Sequence, residues 1–298
     1  MLIVEFLFLA LLLGCVLAAV SWKTDLYEKE PLSAVAGAVL LGSCSILCVQ
    51  LVHKLIDLPV AGPDAHWSAV LTQSYLTAGL VEEASKFLAI FLIAARWRQF
   101  NEPFDGLLYA GLVGIGFAIS ENIGYMLTGA FAKVSATTMP LYWEASTSGI
   151  SILLKYRLYH GHFFFDFIAG YFVARAKFGR EDRDGGLRWG FLAAGLLVAT
   201  FLHGTWNSIA MLSQGPWLLP LYFLFLIALA FLAGRNALRK SSFRKEALAQ
   251  ASPFELQKLK EFMDLPLPQK GEIFAYLLVI LVAQFAIFFL DFMLASLP

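Results

Sequence analysis

Apolar runs of about 20 residues recur along this chain, and at about 1.5 Å of rise per helical residue each matches the thickness of a bilayer core. Short charged or proline-bearing segments separate them. In hydrocarbon every backbone N–H and C=O must find a partner within the protein, which makes helices the natural form for such runs. Of 298 residues 59% are hydrophobic and 15% charged, with a mean hydropathy of +0.70, too oily for an ordinary soluble domain. The expected fold is all-α, a polytopic membrane helical bundle of about eight transmembrane helices. The expected spans are residues 1–20, 32–52, 67–95, 104–128, 157–175, 189–213, 217–234 and 273–294.

Three parts follow from that division. Residues 1–234 form a seven-helix membrane domain, 235–272 a basic loop, and 273–298 the eighth helix. Within the loop, Ser252-Pro253-Phe254-Glu255 has the pattern of a helix start, so a short amphipathic helix on the membrane surface is expected there. No Lys or Arg precedes the first apolar run, so it reads as a retained helix rather than a secretory signal. Cys15, Cys44 and Cys48 lie within apolar runs and read as packing residues. A net charge of +0 gives no support to a nucleic-acid partner.

Lysine and arginine set the orientation. The odd-numbered loops carry 17 of them and the even-numbered loops 4, with Lys86 inside a span. The rule that basic loops stay in the cytoplasm then places both termini outside.

The third run contains Val81-Glu82-Glu83-Ala84-Ser85-Lys86. An ionised side chain at mid-bilayer costs about 2.5 to 3.5 kcal/mol on insertion scales, so adjacent carboxylates there need partners or a task. Other spans offer Glu121 with Asn122, His162 with Asp166, and His203 with Asn207. Counted at about 1.5 Å per residue from the basic ends of their helices, Glu82, Glu121, His162 and His203 lie about 20 to 25 Å up. Helices running in opposite directions thus bring their costly groups to one level in the outer half of the bilayer. Ala110, Gly114 and Ala118 share one helix face and permit close packing on the approach to Glu121.

These side chains suit hydrolysis. Glu82 or Glu83 can take a proton from water and return it to a leaving amine. Consecutive helical residues point about 100° apart, so one glutamate faces the scissile bond while the other orients the site or pairs with Lys86. His203 and Asn207, one turn apart, can together hold a developing oxyanion, and His162 or Glu121 can orient the water. The candidate catalytic residues are therefore Glu82, Glu83, Glu121, His162, His203 and Asn207. For His53, His66, His160 and Asp166 taken singly, structural hydrogen bonding is the simpler reading.

The ordered set of segments DLYEKEP (Asp25 to Pro31), EEASK (Glu82 to Lys86), Phe104 to Tyr125, Arg157 to Tyr171 and HGTWN (His203 to Asn207) resembles the PrsW family of intramembrane proteases. These are distant relatives of the CAAX prenyl protease and bacteriocin-processing membrane enzymes. The fifth span offers His160 and His162, and the eight-residue step from His162 to Gly170 fits the family block better. The resemblance implies an endopeptidase in a bacterial cytoplasmic membrane that cuts a transmembrane or juxtamembrane protein substrate. By the same resemblance that substrate is of the anti-sigma-factor type, cut on the outer side.

Glutamate-activated water without a cofactor is the favoured mechanism. Zinc held by the same Glu and His cluster is its rival, against which stands the lack of an HExxH motif. A proton-coupled transporter, in which the intramembrane Glu, Lys and His relay protons, is the reading from another functional class.

Overall fold

The computed structural model describes residues 2–56, 58–59, 66–131, 161–179, 188–212, 218–250, 252 and 257. The described residues are helical apart from short connections. In chain order they form α1 (Leu2–Thr24), α2 (Leu32–Leu55), α3 (Trp67–Thr72), a π-helical segment (Gln73–Leu80) and α4 (Val81–Arg96). Then come α5 (Pro103–Phe131), α6 (Gly161–Phe178), α7 (Trp189–Leu212), α8 (Leu218–Arg239) and the short α9 (Arg244–Gln250).

Helix α5 is the axis of the bundle. Leu107, Leu108, Ala110, Leu112, Val113, Ile115 and Phe117 on it are all fully buried, as expected of a helix that is apolar on every side. Small residues let its neighbours come close. Gly106 and Gly170 bring the α5 and α6 backbones together, and a Cβ on Gly114 would lie 2.5 Å from the His162 carbonyl oxygen and 2.7 Å from Asp166 Oδ2. Helices α2, α7 and α8 share their faces between this axis and the surroundings. Leu47 and Leu51, Leu197 and Phe201, and Leu221 and Phe225 all face outward, the distribution expected of lipid-facing helices.

The structure supports the all-helical bundle and corrects the count of eight spans. Among the described residues four helices are long and apolar enough to cross a membrane: Leu32–Leu55, Pro103–Gly124, Trp189–Met211 and Leu218–Arg239. Two of the other expected spans fall short for separate reasons. Helix α4 has only 16 residues because the stretch before it winds as a π-helix, and the 18 residues of α6 carry Asp166, Arg175 and Lys177. Helix α1 has 23 residues, but its first turns are described by backbone alone except at Phe8. The expected span at 273–294 lies outside the described residues, as do Arg157, His160 and most of the Ser252 to Glu255 helix start. Helix α9 begins at Arg244, ahead of that start.

Candidate active site

Helix α4 opens directly on the two glutamates, at the end of the eight-residue π-helical segment. Wide helical turns of this kind are uncommon and cluster at functional positions. Helix α7 lies against the segment: Gly204 faces the Tyr75 ring, and the Tyr75 and Thr205 hydroxyls are 2.9 Å apart. That contact sets His203 beside the start of α4.

The side chains form two layers. The inner layer, Glu83, Lys86 and Asp166, is sealed, with side chains 0 to 1% exposed. Lys86 Nζ donates to Glu83 Oε1 at 2.7 Å, lies 2.9 Å from Asp166 Oδ2 and reaches His162 Nδ1 at 3.2 Å. Leaving a buried charge without a partner is far costlier than burying a pair, so three contacts on one ammonium make this lysine the anchor of the layer. It also stands 5.1 Å from the centre of the Phe117 ring.

The outer layer is Glu82, Glu121 and His162, each 12 to 14% exposed. Glu121 Oε2 accepts from His162 Nε2 at 3.0 Å. Because the Lys86 ammonium can only donate, His162 Nδ1 accepts from it, which puts the ring proton on Nε2. His203 joins the layers. Its Nδ1 donates to Glu83 Oε1 at 2.6 Å, while its Nε2 stands 3.8 Å from Glu82 Oε2, beyond a hydrogen bond. Aromatic contacts fix both rings: His203 stacks on Phe165 at 5.2 Å, and the two imidazoles meet edge to face at 4.9 Å.

Glu82, Glu83, Glu121, His162 and His203 thus meet in one place. Asn207 is only half-buried and makes no hydrogen bond with this cluster among the described residues. One turn along a helix is also about 6 Å of rise, so sharing a face with His203 does not bring it to the same depth. The link between Lys86 and Asp166 escaped the sequence reading, in which Asp166 taken alone was structural. Its signal was the four-residue spacing from His162, which puts both on one face of α6.

The donor set also fits a metal ion. Glu82, His162 and His203 each offer one ligand atom, and the three atoms lie within 4.8 Å of one another. Two histidines and a glutamate form a familiar zinc set, and a carboxylate behind a ligating histidine orients the ring, as Glu83 does for His203. Among the described residues Glu82 Oε2 is buried with no hydrogen-bond partner, which leaves its lone pairs free to ligate an ion.

Residues 30–234, more than half of the chain, match the model of a family described as PrsW family intramembrane metalloprotease. The chain belongs to the PrsW family. It is 28% identical over 207 residues to Protease PrsW of Geobacillus kaustophilus (strain HTA426), covering 68% of this chain and 78% of that protein. Protease PrsW of Clostridioides difficile (strain 630) is 27% identical over 207 residues, 69% of this chain and 78% of its own length. Protease PrsW of Bacillus subtilis (strain 168) is 23% identical over 197 residues, 66% and 78%. No solved structure matches the chain. As a PrsW family member the protein is an intramembrane protease, resident in a bacterial inner membrane and acting on a protein substrate within the bilayer.

Proposed function

We propose that Glu82, His162 and His203 hold a zinc ion and that the chain hydrolyses a peptide bond of a membrane-protein substrate beside it. The observation that carries this reading is the convergence of three ligand atoms within 4.8 Å, with His203 oriented from behind by Glu83. Zinc in such a site supplies Lewis acidity and a water that ionises near neutral pH.

The protein's own groups do the rest. Glu83, tied to Lys86 and His203 and sealed from solvent, holds the His203 ring. Lys86 and Asp166 hold Glu83 in turn. With Glu82 engaged as a ligand, Glu121 is the carboxylate left on the open side. It takes the proton from the attacking water and returns it to the leaving amine. Hydrocarbon around the layers excludes bulk water, and the exposed edge formed by Glu82, Glu121 and His162 is where an extended substrate segment reaches the site.

Metal-free hydrolysis, with Glu82 as the base, is favoured by one observation. Both nitrogens of His162 are already engaged, with Lys86 and with Glu121, and ligation would displace one of those contacts. Dialysis of the reconstituted protein against a chelator separates the two readings. On the zinc reading cleavage falls to background and returns with stoichiometric zinc; unchanged cleavage after verified metal removal would sink it.

The substrate we propose is an anti-sigma factor anchored in the membrane and cut on its outer side. We further propose that the arginine- and lysine-rich end of the bundle faces the cytoplasm, with both termini outside. A Glu82→Gln chain used as a trap, followed by mass-spectrometric mapping of the wild-type cut, tests the substrate. Labelling of single cysteines near each terminus with an impermeant reagent tests the orientation.

A further inference from the structure

The opposite end of the bundle holds a second group of buried acids, in segments that look like ordinary charged loops. Asp25 follows α1, Glu30 precedes α2, Glu102 precedes α5, and Asp105 lies in the first turn of α5. Asp25, Glu102 and Asp105 are 0% exposed and Glu30 is 3% exposed. Some of their oxygens are satisfied: the Tyr109 hydroxyl donates to Glu30, the Ser241 hydroxyl donates to Glu102, and the Asn101 and Glu102 amides donate to Asp105 Oδ2 at 2.8 and 2.7 Å. Others are not. Among the described residues, both oxygens of Asp25, Oε1 of Glu102 and Oδ1 of Asp105 are buried and meet no hydrogen-bond donor, and the carboxyls of Asp25 and Glu102 face each other. The neighbouring lysines are spent on backbone: Lys29 donates to the carbonyls of Trp22 and Lys23 at 3.0 Å each and to that of Asp25, and Lys177 to that of Ala94 at 2.9 Å.

One carboxylate oxygen each from Asp25, Glu102 and Asp105 lies within 4.8 Å of those of the other two. Ligand oxygens about 2.1 to 2.5 Å from a common ion are separated by no more than about twice that length, so the three fit one coordination sphere. We propose that Asp25, Glu102 and Asp105 bind a hard divalent cation, magnesium or calcium, at a site separate from the Glu82 cluster. An all-oxygen, carboxylate set with no imidazole or thiolate selects such ions over zinc. Asp25, wholly buried, is the side chain that points to a ligand: among the described residues its carboxyl meets the carboxyl of Glu102 and no donor, and two facing carboxylates in that setting need a cation or a shared proton between them. Protons are the competitor, since burial and the neighbouring Glu102 push Asp25 up to about 8.

The ion joins three pieces of chain. Asp25 belongs to the α1 to α2 connection, Glu102 and Asp105 to the entry into the central helix, and Ser241 brings the end of α8 to the same point through Glu102. A cation here clips the ends of the bundle together without touching the chemistry.

Calorimetric titration of the full chain in detergent, stripped by chelator, with CaCl2 and separately with MgCl2 tests the site. We expect a single equivalent of at least one ion, affinity weakened by about ten-fold or more in Asp25→Asn and in Glu102→Gln, and uptake unchanged in His203→Ala. Thermal unfolding should shift upward with that ion in wild type and not in the two acid variants. Both replacements keep the shape of the protonated acid that burial favours when no ion is bound, so the ion-free fold is retained. No uptake of either ion by wild type overturns the proposal. So does uptake that persists in both acid variants, or uptake that disappears with His203→Ala.

Discussion

The two ends of the bundle each bury a group of carboxylates, and they manage the cost in opposite ways. In the Glu82 cluster the acids meet bases: Glu83 lies against Lys86 and His203, Asp166 against Lys86, and Glu121 against His162. In the Asp25 cluster the partners among the described residues are hydroxyls, backbone amides and neighbouring carboxyls. A carboxylate facing a fixed ammonium or imidazole is held in place by the protein alone. One facing other carboxylates depends on what solution supplies. The first arrangement suits groups that must be oriented for chemistry, the second a site that fills and empties.

The largest effect that would break this contrast is on cleavage. Glu82→Gln and His203→Ala should each reduce peptide-bond hydrolysis by about 10³-fold or more in reconstituted vesicles, whereas Asp25→Asn should leave the basal rate within a few-fold. Near-equal losses at both ends would mean that the ends are not functionally separate. Next in size is stability. Lys86→Met strands Glu83 and Asp166 in a sealed layer and should destabilise the fold by about 3 to 5 kcal/mol, read as a fall in unfolding temperature in detergent. Chelator-stripped Asp25→Asn should unfold no earlier than wild type, because asparagine keeps the shape of the protonated acid that burial favours there.

Smaller changes sharpen the picture within the first cluster. Asp166→Asn acts through Lys86 and Glu83 and should lower kcat by about 10- to 100-fold with KM little changed. Asn207→Ala should cost no more than about three-fold, well short of the roughly 10² to 10³ lost with an oxyanion donor. A loss of that larger size would restore Asn207 to the site.

How far the sequence could be read depended on where a residue sat. Glu82, Glu83, Glu121, His162 and His203 were legible because ionisable groups inside apolar runs are few, and depth counted along each helix put them at one level. Asn207 was grouped with them by helical face, which fixes direction but not height. The acids at 25, 30 and 102 were invisible because charge in a connecting segment is the ordinary solvated case, and Asp105 because it stands at the very start of its span; only the folded chain shows them turned inward. The span count failed on the same ground that made the site legible: α6 and the start of α4 carry the polar residues and irregular winding that a simple apolar rod lacks.

That irregular winding matters for how the glutamates are aimed. Residues 73–80 hold more residues per turn than an α-helix, so the direction in which Glu82 and Glu83 leave the backbone depends on the number of residues upstream as well as on their type. Shortening the stretch by a single residue would rotate everything after it by roughly a quarter of a turn, carrying the paired acids off their histidines while every side chain in the cluster kept its identity. The aim of this enzyme's chemistry is thus written partly in chain length, in a stretch that itself bears no charge.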